Sequence, residues 1–269
     1  MLFRSVYGRG TEWSASSGTV GTTAGYPNDV QIGNNTTLNY PNTGTGAFST
    51  TYSVGRDFTI DAGSSFYMDY GGGSSNKTGG LNVVRDISIA GNLSLGSGAG
   101  GDLSVGRNWT HTTGTFQDNS RAVSFNGATG EQTITNASGE TFSYLTVNKA
   151  TSGGVTLAGN VTVSNTLTLT KGIVTTTSSN LLHITNTSAA AISGGGSTSY
   201  ISGPLRWSVS NGSGGDYKFH LGKSSTYLPF NINNPTGTSP VITVEAFASS
   251  VNASPTYANN LSKIGRAHV

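Results

Sequence analysis

Apolar residues alternate with Ser, Thr or Asn in short runs along most of this chain. The runs include Val30-Gln31-Ile32, Phe58-Thr59-Ile60, Leu81-Asn82-Val83, Ile87-Ser88-Ile89, Leu93-Ser94-Leu95 and Leu103-Ser104-Val105. Further on come Val123-Ser124-Phe125, Leu145-Thr146-Val147, Val155-Thr156-Leu157, Val161-Thr162-Val163 and Leu167-Thr168-Leu169. A period of two predicts strands with one buried face. It assigns Ile87, Ile89, Leu93, Leu95, Leu145, Val147, Val161, Val163, Leu167 and Leu169 to the core. Helical periodicity is almost absent, which excludes helical bundles and sheets joined by crossover helices.

The spacing of the runs says how they connect. Starts at 81, 87 and 93, at 103 and 109, and at 155, 161, 167 and 173 are six residues apart. A reversal in so few residues needs an Asn-Gly type turn, and most of these steps lack one. Arg85-Asp86, Gly91-Asn92, Gly159-Asn160 and Ser164-Asn165 instead suit corners that bend the chain without reversing it. The prediction is an all-β protein: a parallel β-solenoid with three short strands per turn. At roughly 20 residues per coil it has about nine coils and a length of about 40–45 Å at the ~4.8 Å strand spacing. Outward Ser, Thr and Asn are expected to form hydrogen-bonded rows from coil to coil.

Composition narrows the class. Gly, Ser, Thr and Asn supply about half of the 269 residues, charged residues 10%, and the formal net charge is +2. So small an excess of Lys and Arg argues against a nucleic-acid partner. The 11 Tyr, 10 Phe and 3 Trp separate the chain from disordered polar sequences. Cys is absent, which removes thiolate catalysis and Cys-ligated zinc. Absence of Cys and low charge both suit an exported bacterial protein. No signal peptide, membrane-spanning run or anchoring tail is read within these residues, and reading the chain as a fragment leaves room for each beyond either end.

Texture changes near 193–199, Ser-Gly-Gly-Gly-Ser-Thr-Ser, after which Pro204, Trp207, Tyr217, Phe219, Tyr227, Pro229 and Phe230 follow closely. This divides the chain into a β-solenoid over 6–199 and a partial, sandwich-like antiparallel β-module over 200–263; a cap on the solenoid is the other reading of the second segment. Residues 1–5 and 264–269 fall outside both patterns. Met1-Leu2-Phe3-Arg4-Ser5 and Ile264-Gly265-Arg266-Ala267-His268-Val269 look like translated sequencing adapters. They are expected to be peripheral and to add no strand, leaving 6–263 as a fragment of a longer protein.

Several longer stretches carry a resemblance. These are DLSVGRNWTHTTGTF from Asp102, AVSFNGATGEQTIT from Ala122, ETFSYLTVNKATSGGVTLAGNVTVSNTLTLTKGIVTT from Glu140, then SYISGPLRW, YKFHLGK and TYLPFNI. In texture and order the chain resembles large repeat proteins of Bacteroidota cell surfaces and secretions, over most of 11–235. Residues 26–40, YPNDVQIGNNTTLNY, with Trp13 upstream, are similar to the capping start of such solenoids. The resemblance implies an extracellular or outer-surface location, export by the type IX system, and a partner that is an extracellular polysaccharide or another domain of the same parent chain. It brings no catalytic residue.

Candidate chemistry is sparse. Arg56-Asp57, Arg85-Asp86 and Arg107-Asn108 occupy matching corners, so Arg56, Arg85 and Arg107 form either a polyanion-binding row or plain solvated corners with Arg–Asp neighbours. Phe66, Tyr67 and Tyr70 adjoin Gly71–Gly73 and either stack on sugar rings or pack beneath that loop. His111, His183 and His220 are isolated in the sequence, with no metal-ligand spacing. Gly98-Ala99-Gly100-Gly101-Asp102 mimics a Ca²⁺-binding repeat only once. No metal, cofactor or catalytic group is expected. The leading reading is a non-catalytic, adhesin-like spacer. Its alternatives are a carbohydrate- or matrix-binding solenoid and an enzyme of the polysaccharide-lyase kind, which needs converging acidic and basic side chains.

Overall fold

The computed structural model describes residues 13, 18–19, 22–40, 47–71, 76–149, 153–212 and 215–247, and the backbone of Leu2–Phe3 and Ala267–His268. Every regular element among them is a strand. The chain winds as a parallel β-solenoid with three faces. One coil takes in Phe58–Ile60, Ser65–Tyr67 and Leu81–Val83, and the next repeats the order with Ile87–Ile89, Asn92–Ser94 and Leu103–Val105. Phe58 stacks on Ile87, Phe66 on Leu93 and Leu81 on Leu103, all in parallel register.

Along the first face the partners run Val30, Phe58, Ile87, Trp109, Ile134 and Leu157, and then from Val155 to Val174 and Ile201. Those are seven steps of between 19 and 29 residues, so the coils are longer and fewer than the nine expected. The difference lies in the number of residues between successive strands, 12 from Asn39 to Tyr52 and 13 from Tyr67 to Leu81, which the six-residue spacing of the regular coils does not report. Seven steps rise about 34 Å at ~4.8 Å each.

Two strands depart from the short pattern. Glu140–Asn148 and Val161–Lys171 pass round the corner between the second and third faces without a break. A register shift between Phe142 and Tyr144 makes room for the bend. There Asp118 accepts a hydrogen bond from the Ser143 backbone N–H and another from its Oγ, the latter at 2.9 Å. From that point the second and third faces form a single sheet.

Inward side chains make one continuous apolar core from Trp13 to Ala246. All ten residues assigned to it by alternation are buried. Outward polar residues form the expected rows in places: Ser104 Oγ donates to Asn82 Oδ1 at 2.6 Å, and Thr115 Oγ1 to Asn92 Oδ1 at 2.9 Å. Coils approach so closely at Gly106 that an added Cβ would run into the Val84 carbonyl oxygen.

Both ends of the stack are closed by aromatics. Trp13 lies within 5.0 Å of the Tyr52 ring and 5.5 Å of Phe66, and its Nε1 donates to the Ser53 carbonyl at 3.0 Å. At the other end Trp207 meets Tyr217 and Phe219 at 5.1 and 5.3 Å. The parallel ladder continues past residue 199, because Ile201–Ser202 pairs with Ile173–Thr175 and Leu205–Ser208 with Leu182–Ile184. Antiparallel pairing then follows in Asp216–Phe219 with Phe230–Asn233, Gly222–Lys223 with Thr226–Tyr227, and Leu205–Ser208 with Val241–Val244. The antiparallel strands thus share the solenoid's core and cover its last coil; 248–263 lie outside the described residues.

Contrary to expectation, Leu2–Phe3 adds a strand beside Val30–Ile32 and Ala267–His268 adds one beside Val241–Val244. An open sheet edge pairs with any extended segment within reach, whatever its side chains. The rest of 1–5 and 264–269 lies outside the described residues.

Val163 is fully buried in the middle of the stack. Replacing it with Asp places an uncompensated charge there and is expected to cost several kcal/mol, read as a large fall in thermal midpoint. Gly106→Ala is expected to lower stability by about 1–3 kcal/mol in the same assay, through overpacking of two adjacent coils.

Candidate functional site

The matching corners do form a row, built between coils rather than within them. Arg56 pairs with Asp29 at 3.6 Å, Arg85 with Asp57 at 3.4 Å, and Arg107 with Asp86, its Nε donating to Oδ1 at 2.7 Å. Each Arg therefore reaches back to the acid of the preceding coil, not to its sequence neighbour. The same acids accept the backbone N–H of the next corner: Asp57 to Asp29 and Asp86 to Asp57, each at 3.2 Å, and Asn108 to Asp86 at 2.9 Å. Asn108 Oδ1 continues the chain to the Thr133 N–H at 3.0 Å. The Arg107 guanidinium and the Asn108 N–H hold the Asp86 carboxyl below its usual range, against opposition from partial burial. With three Arg matched by three Asp, the row presents little net positive charge to a polyanion.

A second cluster was not legible from the spacing. Glu140 and His111 lie inside the corner between the first two faces, where their side chains are only 5% and 11% exposed. His111 stacks on Ile89 in register, which puts it on the inward side of its strand. One carboxylate oxygen, Glu140 Oε2, accepts from Trp109 Nε1 at 2.8 Å, His111 Nδ1 at 2.8 Å and Asn136 Nδ2 at 3.3 Å. The Thr141 N–H donates to Oε1 at 3.2 Å. The hydrogen bond to Glu140 raises the His111 pKa, with burial opposing. Trp109, which donates to the same carboxylate oxygen, packs edge-on against Phe116 and Phe142, so the pair lies within the wall of the solenoid with little of either side chain exposed.

Lys149 is also fully buried, its Nζ donating to Gln132 Oε1 at 2.8 Å. Gln132 Nε2 donates in turn to the carbonyls of Val105 and Arg107. Burial pushes the Lys149 ammonium below its usual range. His183 faces outward and meets Ser208 Oγ at 3.0 Å, while the His220 Nδ1 meets the Tyr227 hydroxyl at 2.7 Å. Burial lowers both of these histidines. Asp102, in the Gly-rich segment that mimics a Ca²⁺ repeat, accepts the Ala122 N–H at 2.9 Å.

The proposed aromatic contacts separate. Phe66 points into the core between Trp13 and Phe58, so it does not face a ligand; Tyr67 is half-buried and Tyr70 is 42% exposed. Residues 72–73 of the adjoining loop lie outside the described residues. Among the described residues, no three His, Asp or Glu side chains gather as a metal site, and no helix is long and apolar enough to cross a membrane.

No family model, curated protein or solved structure matches this chain.

The His111–Glu140 pair ties stability to pH with a definite sign. The folded state holds the His111 proton more tightly than the unfolded chain, whose His titrates near 6.5. The stabilisation is therefore complete below that pH and is lost as pH rises through the higher folded value. Glu140→Gln is expected to flatten this dependence in thermal melts across pH 5–9, and to destabilise by about 3 kcal/mol below pH 6. Arg107→Gln, at the exposed corner, is expected to cost no more than about 1 kcal/mol, less in high salt.

Proposed function

We propose that this chain is a non-catalytic spacer in a bacterial surface or secreted protein, holding adhesive or catalytic partners away from the cell. The observation that carries the reading is the parallel ladder that runs the length of the first face over one continuous core, with aromatics at both ends. Such a stack supplies length and resistance to unfolding without a special residue. The ionic groups support it as well. The Arg–Asp pairs of the corner row tie one coil to the next, and the Glu140–His111 pair is enclosed in the wall. An outer-surface setting, of the type IX-exported kind, is part of the proposal and rests on the absence of Cys, the low charge and the textural resemblance to Bacteroidota repeat proteins.

The test is a screen of the 269-residue chain against plant and algal polysaccharides, with reducing-end release as the readout, alongside stretching of tandem copies by force spectroscopy. No product and stepwise unfolding at high force are the expected results. Depolymerisation abolished by changing a single acidic residue would replace the spacer with a lyase or hydrolase.

A further inference from the structure

Where the last coil meets the antiparallel strand, the outer surface forms a groove of about 440 Å³ lined by Ser178, Leu181, Pro204, Arg206, Thr243, Glu245 and Phe247. Alternation explains its contents. Leu205 and Trp207 turn into the core, so Arg206 faces out, and Arg206 is opposite Thr243 in the antiparallel register. Val244 and Ala246 are buried, which sends Thr243, Glu245 and Phe247 to the same outer side. Phe247 is 37% exposed and is one of four exposed large hydrophobics among the described residues.

Once Lys223, just outside the lining, is counted, the charges around the groove do not cancel among the described residues. Glu245 has a compensating cation, with Lys223 Nζ 3.7 Å from its Oε1. The Arg206 guanidinium makes no ion pair among the described residues; its Nε lies 3.4 Å from Thr243 Oγ1. An unmatched guanidinium presents planar, forked donors suited to a carboxylate. Beside it stand hydroxyls on Thr243 and Ser178, the carboxylate of Glu245 and an aromatic face. We propose that this groove binds an acidic saccharide, a uronic-acid residue whose carboxylate sits on Arg206 and whose C–H face lies on Phe247. Thr243, Ser178 and Glu245 are then placed for its ring hydroxyls. An apolar pocket with a few convergent polar groups is the general form of a small-ligand site. This site is independent of the spacer reading, which fails on product release, whereas this one fails on binding.

The experiment titrates the 269-residue chain with trigalacturonate, neutral cellotriose and acetate, using saturation-transfer NMR and calorimetry at low and high salt. Trigalacturonate is expected to bind in the millimolar range or tighter, and more weakly as salt rises. Arg206→Gln is expected to reduce that affinity about tenfold, and Phe247→Ser about threefold or more. Both side chains face outward, so unchanged melting of the variants confirms that the fold is kept. Three results overturn the proposal: no saturable binding by about 10 mM, binding indifferent to both substitutions, or acetate bound as tightly as the trisaccharide. Cellotriose bound as well as trigalacturonate overturns the role given to Arg206.

Discussion

Backbone hydrogen bonding between successive coils constrains everything else in this molecule. A parallel ladder puts the equivalent residue of the next coil about 4.8 Å above each position. Apolar residues benefit from this, since Val, Ile, Leu and Phe stack on their own kind into a continuous core. Charged residues do not, because a repeated Arg or Asp would stand next to its like. The corners resolve the conflict by offset: Arg85 is bonded through its backbone to Arg56 while its side chain answers Asp57. Each carboxylate thus sits between a guanidinium and a backbone N–H of the coil above it.

The same constraint explains why polar groups inside the wall come in closed sets. Glu140 collects Trp109, His111 and Asn136 on one oxygen, and Lys149 sits on a glutamine that is itself bonded to two carbonyls. A lone buried charge here would disturb not one coil but its neighbours above and below. Hydrogen-bonded sets limit that penalty and fix which corner follows which face.

Alternation and six-residue spacing made the first and third faces readable, since Val30, Phe58, Leu81, Ile87 and Leu103 carry strong apolar signals. Much of the second face was missed because its strands hold a single inward residue, as Leu38 does in Thr37–Asn39 and Phe116 in Thr115–Gln117. One apolar residue between two polar ones has no measurable period. The corner row was half legible: the Arg-Asp repeats were visible, but Asp29 was overlooked although it precedes the first strand as Asp57 and Asp86 precede theirs. Glu140 and His111 are 29 residues apart in sequence, so only the coil length could have joined them. Lys149 drew no reading from the sequence, because nothing local distinguishes a corner that turns inward from one that turns out. Thr243, Glu245 and Phe247 fell in the 200–263 segment, read only as an antiparallel module or a cap, with no indication of what lay opposite.

Coil length is not uniform along the axis. The steps from Val30 to Phe58 and on to Ile87 take 28 and 29 residues, while Ile134 to Leu157 takes 23 and Val155 to Val174 only 19. The last step, Val174 to Ile201, takes 27 again, so the coils are shortest in the later middle of the stack. In the coils before Glu140 the faces are separate strands, whereas Glu140–Asn148 and Val161–Lys171 carry the ladder unbroken around a corner. Opening free energy follows local bond density. The stiffest part of the molecule is therefore the pair of strands Glu140–Asn148 and Val161–Lys171, where two faces share one strand, and strain applied along the axis is expected to reach it last.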